Sequence, residues 1–176
     1  SGNERKYLNE AIDQGEISSR GKFVQRFEEA FAEALGAKYA VACSAGTNAL
    51  TLALAALKIG KGDEVIVPEF TMIASAWAVT YREATPVFVD CGYDLNIDVS
   101  KIEAAITPRT KAIMPVHIYG RPCNMTAIMD LAKKHNLYVV EDACEAHGAT
   151  FNGQKVGTIG DIGCFSLFGN KIISSG

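Results

Sequence analysis

The chain has 176 residues, 48% of them hydrophobic and 21% charged, which suits one soluble globular domain with a sizeable core. Its net charge of -3 argues against a general nucleic-acid binder but not against a phosphorylated small molecule, which needs only local donors. Five cysteines, Cys43, Cys91, Cys123, Cys144 and Cys164, include no C-x-x-C pair. That speaks against a zinc site or a disulfide framework and for a reducing cytoplasm. No secretory signal is expected from the opening residues, and the apolar stretch 49–57 is too short to span a bilayer.

The pattern predicts a short helix over 4–14, broken by Ile17-Ser18-Ser19-Arg20-Gly21. Residues 22–35 form a strongly amphipathic helix, because Phe23, Phe27, Phe31 and Leu35 recur every four residues. Gly36 ends it. Strands then alternate with helices: strand 39–43, helix 46–57, strand 64–68, helix 72–81, strand 86–90, helix 99–105, strand 110–115, helix 125–136 and strand 137–141. Two further strands, 149–151 and 161–165, are expected to be linked by the Asn152-Gly153 turn. Such alternation means an α/β fold of three layers around a mainly parallel sheet. The continuously apolar runs Val65-Ile66-Val67 and Val87-Phe88-Val89 suit strands covered on both faces. No repeat or internal linker interrupts the pattern.

Ligands of such sheets sit beyond the carboxyl ends of the strands, and the chemically interesting residues fall there. Ser44-Ala45-Gly46-Thr47-Asn48 follows a strand and opens a helix, so free amides and the positive dipole end favour a phosphate. The alternative is an ordinary helix cap with Ser44 or Thr47 as the capping side chain. Asp142 ends an apolar strand, where a carboxylate is costly without a partner. A protonated pyridine nitrogen would serve, and so would a loop cap. Glu141 points to the opposite face by strand alternation and receives no role. Glu145 lies one turn on and could reach a ring hydroxyl or face solvent.

Ser166 ends the last strand and Lys171 lies in the loop after it. A desolvated lysine can attack a carbonyl, though Lys61, Lys111 and Lys155 also lie near strand ends or turns. Met72 could cover one face of a planar ring or simply pack in the core. His117 and Tyr119, in the loop Pro115-Val116-His117-Ile118-Tyr119-Gly120, could contact a substrate, with a hydrogen-bonded structural histidine as the alternative. No metal site is expected. Together, the phosphate donors, the acid, the hydroxyl and the lysine suit a pyridoxal 5'-phosphate (PLP) site.

The combination Gly46-Thr47-Asn48-Ala49-Leu50, Pro68-Glu69-Phe70-Thr71, Glu141-Asp142-Ala143-Cys144-Glu145-Ala146-His147-Gly148-Ala149 and Phe165-Ser166-Leu167-Phe168-Gly169-Asn170-Lys171 resembles the DegT/DnrJ/EryC1/StrS sugar aminotransferases. These are PLP enzymes of fold type I, and the likeness covers the whole chain. It implies that Lys171 binds the cofactor aldehyde and shuttles protons, and that Asp142 pairs with the pyridinium nitrogen. Glu145 would stand near the ring hydroxyl, where many relatives carry Gln or His. Gly46, Thr47, Asn48 and Ser166 would bind the phosphate, and Met72 would take a ring-stacking position that is often aromatic in relatives. Related dehydratases place His where Lys171 stands, so the lysine favours amino transfer.

The resemblance also implies that residues 1–176 are the N-terminal part of the PLP-binding large domain, incomplete and without the small C-terminal domain. The intact protein is expected to be a cytoplasmic homodimer. It would move an amino group, with glutamate as donor, to a nucleotide-linked keto sugar, GDP-4-keto-6-deoxymannose first, giving an amino sugar for surface polysaccharide. A UDP- or dTDP-linked 3- or 4-keto sugar is the first alternative. A non-catalytic binding or assembly module is the second, and the 176-residue chain alone is expected to turn over little. A nicotinamide-dependent Rossmann enzyme is disfavoured because no Gly-x-Gly-x-x-Gly follows the first strand.

Overall fold

The computed structural model describes residues 2–16, 18 and 21–174. Two compact units divide the chain, Ser1–Ala42 and Cys43–Gly176. The first holds α1 (Glu4–Asp13) and α2 (Lys22–Leu35). Tyr7 and Phe23 meet edge to face at 6.2 Å, and the Arg26 guanidinium lies 5.5 Å from the Tyr7 ring centre, so aromatic and cation–π contacts join the two helices. Gly36 takes a left-handed conformation (φ 74°) that closes α2. Of the expected breaker, Ile17, Ser19 and Arg20 lie outside the described residues.

The second unit contains α3 (Gly46–Ala56), β1 (Glu64–Pro68), α4 (Ile73–Thr80), β2 (Thr85–Val89), α5 (Val99–Ala105), β3 (Thr110–Ile113), α6 (Met125–His135) and β4 (Tyr138–Asp142). The short strands β5 (Thr150–Phe151), β6 (Gln154–Lys155) and β7 (Ile162–Cys164) follow. The main sheet runs β2-β1-β3-β4-β7 and every pairing in it is parallel. Alternation along the strands separates two cores. Val65, Val67, Ala112 and Val140 pack with Leu50, Leu54 and Val79 of α3 and α4. Ile66, Ile113 and Val139 pack with Ile102 and Ile128 of α5 and α6. The result is the expected three-layer α/β arrangement. Among the described residues, no helix is long and apolar enough to cross a membrane.

Three expectations fail for identifiable reasons. Residues 39–43 form no strand: Tyr39 and Val41 are exposed and no described strand pairs with them. A ladder needs a neighbour, and apolar alternation cannot supply one. The Asn152-Gly153 turn joins β5 to β6, not to the strand over 161–165. Both turn residues have positive φ, 50° and 82°, the geometry of a two-residue hairpin, which demands an immediate partner. β7 instead joins the main sheet beside β4. Finally, β2 is an edge strand with Phe88 54% exposed, so its apolar run does not report cover on both faces.

Candidate cofactor and active site

The carboxyl ends of β1, β4 and β7 and the first turns of α3 and α4 converge around Asp142. This aspartate closes β4 and is buried. Its backbone is tied on one side, where Asp142 N donates to Pro115 O (2.9 Å) and His117 N donates to Asp142 O (3.0 Å). Its register partner on the other side is Cys164 of β7. Ser75 Oγ donates to Oδ2 at 2.7 Å and Cys144 N to Oδ1 at 3.1 Å. A carboxylate has about four acceptor positions, so an oriented acid retains capacity for a further N–H. Ser75 is itself held by Thr71, whose Oγ1 lies 2.8 Å from Ser75 Oγ. Met72 stands between them at the start of α4, with its side chain exposed.

The first turn of α3 faces the exit of β7. A Cβ on Gly46 would lie 2.9 Å from Ser166 Cβ and 3.0 Å from Cys144 Sγ. Glycine therefore permits a backbone approach that any side chain would prevent. Neither Ser44 nor Thr47 caps the helix. The N-cap is Ala45, which makes no side-chain bond, and Ser44 Oγ instead accepts from Asn48 Nδ2 at 2.8 Å. The amides of the first turn thus face the buried hydroxyl residue Ser166 with the positive end of the helix dipole behind them, an anion cradle in chemical terms. Burial, then the negative charge of Asp142, raises the Cys144 thiol well above its ordinary pKa, so it remains a neutral wall group.

Lys171 Nζ donates to Glu145 Oε1 at 3.0 Å, and Tyr119 N donates to Glu145 Oε2 at 3.0 Å. One carboxylate thus fixes both the amine and the loop opposite it. Lys61, Lys111 and Lys155 are all exposed, whereas the Lys171 side chain is largely buried. The structure therefore separates Lys171 from the three lysines that spacing left in play.

His117 does not reach this cleft. It is fully buried, accepts from Cys123 N through Nδ1 (3.1 Å) and meets Glu141 Oε2 through Nε2 (3.0 Å). With Nδ1 accepting, the proton sits on Nε2 and both nitrogens are committed. The substrate-contact expectation gives way to the structural alternative. Tyr119, two residues on, is exposed, and its amide shares the Glu145 carboxylate with Lys171.

Glu141 carries far more than strand alternation suggested. Its carboxylate is buried and accepts from Gly157 N, Ile159 N and Gly160 N, each at 2.7 Å, besides His117. Ser75 was also missed, being 67 residues from Asp142. Its place in the first turn of α4 gave no signal. His147 was missed too. Both its ring nitrogens are buried without a partner among the described residues, and the ring packs on Phe165 at 5.4 Å. Burial, then the charge of Lys171, lowers its pKa, so the imidazole stays neutral at pH 7.

An oriented carboxylate, an uncapped helix start, a buried hydroxyl residue and a largely buried lysine thus share one sheet edge. They fit a phosphorylated aromatic aldehyde in donor and acceptor chemistry. The model of the DegT/DnrJ/EryC1/StrS aminotransferase family matches residues 1–176. GDP-perosamine synthase of Caulobacter vibrioides is 58% identical over 176 residues, covering 99% of this chain and 47% of the relative. UDP-N-acetyl-3-dehydro-alpha-D-glucosamine 3-aminotransferase of Acidithiobacillus ferrooxidans is 60% identical over 139 residues, covering 77% and 37%. The solved aminotransferase from Psychrobacter cryohalolentis superposes with a TM-score of 0.96 at 44% identity, over 100% of this chain and 45% of that one. The chain spans about half the length of the curated relatives it matches, or less. By family model, sequence and fold, the chain belongs to the DegT/DnrJ/EryC1/StrS aminotransferase family.

Proposed function

We propose that this chain is the N-terminal part of the cofactor-binding domain of a PLP-dependent sugar aminotransferase. The whole protein, a cytoplasmic homodimer in this reading, moves an amino group from glutamate to a nucleotide-linked keto sugar, GDP-4-keto-6-deoxymannose first. The supporting observation is the convergence of Lys171, Asp142 and the α3 start on one cleft. The 58% identity to a GDP-perosamine synthase supports the sugar. A UDP-linked 3-keto sugar is the second reading, favoured by the 60% identity to the Acidithiobacillus enzyme.

When bound, PLP supplies an electron sink and a carrier for the amino group. Asp142 would accept the ring N–H with the lone pairs that Ser75 and Cys144 leave open, which would favour the protonated ring nitrogen. The amides of Gly46, Thr47 and Asn48 and the Ser166 hydroxyl would hold the phosphate. Lys171 Nζ would hold the aldehyde, and its free amine would move a proton at the reacting carbon. Glu145 keeps that amine aimed into the cleft.

Borohydride reduction of the PLP-loaded full-length protein, followed by peptide mapping, tests this directly. Label is expected on Lys171. Label on Lys61, Lys111 or Lys155, or none at all, would overturn the assignment. A second expectation concerns the anion cradle. Gly46→Ala pushes a methyl into Ser166 and Cys144 and is expected to weaken PLP affinity about tenfold or more, with Lys171 still the labelled residue. Equilibrium titration of PLP measures it, and unchanged affinity would remove the α3 start from the phosphate site.

A further inference from the structure

Phe70 and Tyr119 form an exposed aromatic corner at the loop whose Tyr119 amide shares the Glu145 carboxylate with Lys171. Their ring centres are 6.1 Å apart with planes at 70°, edge to face. The two residues remain 43% and 72% exposed. Tyr119 also holds a left-handed backbone (φ 52°, ψ 27°), which a non-glycine residue keeps only when its surroundings impose it. Here they do. Glu145 grips the Tyr119 amide, Gly120 N donates to His117 O at 3.2 Å, and His117 is locked from below by Cys123 and Glu141. A large side chain held in a strained backbone, and left mostly in solvent within these 176 residues, adds little to the folding of this part of the protein. Such outlays collect at binding sites.

Distance selects the occupant. Tyr119 N and Lys171 Nζ bond to the two oxygens of one carboxylate, so they lie within about 8 Å of each other. A hexose whose reacting carbon is at the lysine amine reaches the backbone that carries Tyr119, whose ring pairs with Phe70. A nucleobase, separated from that carbon by the sugar ring, two phosphates and a ribose, lies farther off. We infer that Phe70 and Tyr119 are the platform for the apolar C–H face of the hexose, and so help to select the keto sugar. This rests on the functional reading above.

The test uses the full-length, PLP-loaded protein with Tyr119→Leu, Phe70→Leu and Tyr119→Phe. Each Leu variant is expected to raise KM for the keto-sugar nucleotide about tenfold, with a smaller change in kcat. The loss should fall on the keto-sugar half-reaction and not on the glutamate one, which is followed by the cofactor spectrum. Tyr119→Phe keeps the ring and should restore KM. The inhibition constant of the free nucleoside diphosphate should stay put. Unchanged KM in the Leu variants overturns the inference, as does a Phe variant as impaired as Leu. An inhibition constant that rises in step with KM assigns the platform to the base instead, and equal loss in both half-reactions makes the corner structural. A wild-type protein that takes up no PLP sinks the functional reading first, whereas a loaded, active wild type whose Leu variants keep KM sinks this inference alone.

Discussion

Lys171→Ala in the full-length protein is expected to lower amino-transfer turnover by on the order of 10^3-fold or more, because one amine both binds the aldehyde and moves the proton. PLP affinity should survive in part. The phosphate cradle at Gly46 and Ser166 and the acid Asp142 belong to other elements and do not depend on the lysine. Lys171→Arg sharpens the reading. A guanidinium can still pair with Glu145, but it does not give up its proton near neutral pH and cannot attack a carbonyl. The Arg variant should therefore be as inactive as Ala. Turnover and equilibrium PLP binding, measured side by side, check both variants. Normal turnover in Lys171→Ala would end the mechanism, and an active Arg variant would reduce Lys171 to a source of positive charge.

Much of this site was legible because its residues terminate regular elements. Apolar runs bounded by Gly, Pro and Asp placed β1, β4, α3 and α6 to within about two residues, and the reactive groups follow those boundaries directly. What the sequence hid was pairing at long range. Alternation correctly sent Glu141 to the face opposite Asp142. It did not reveal that this face meets the loop over 157–160, because the four donors come from 16 to 24 residues away. A signal was present in Val156-Gly157-Thr158-Ile159-Gly160-Asp161-Ile162-Gly163. A Cβ on Gly160 would lie 2.7 Å from Val139 O and one on Gly163 2.0 Å from Gly157 O. Glycines at three-residue spacing, with no turn to explain all of them, mark a backbone pressed against another backbone. His117 went astray for the same reason, since its partners Glu141 and Cys123 are invisible to local pattern. Phe88 shows the converse error, in which an apolar run was taken for burial although β2 is an edge strand.

Glu141→Ala is expected to destabilise the fold by about 3–5 kcal/mol, more than a surface carboxylate could. The substitution leaves three backbone amides and His117 Nε2–H without the acceptor they now share, around a position that is itself fully buried. Burial pushes the Glu141 carboxyl up, yet the bonds from His117, Gly160 and Gly157 outweigh it and hold the group below its ordinary value of 4.5. The sign of the pH effect follows. The unfolded chain takes up a proton near the ordinary value, while the folded chain refuses it until the pH is lower. The stabilisation is therefore complete above the ordinary value and drains away as pH falls through the folded one. Urea unfolding of wild type and Glu141→Ala between neutral and acidic pH tests both parts. The midpoint gap should be widest at neutral pH and narrow in acid. Glu141→Gln should fall between them, since its one carbonyl oxygen can satisfy only some of the donors and its amide brings two more hydrogens toward them. A gap below about 1 kcal/mol at neutral pH, or one that widens in acid, would show that the loop over 157–160 is held by something other than this carboxylate. Because the same loop leads straight into β7, which carries the chain on to Ser166 and Lys171, a loosened loop should also blur the position of the lysine. Folded Glu141→Ala protein is accordingly expected to load PLP less completely than wild type at equal cofactor.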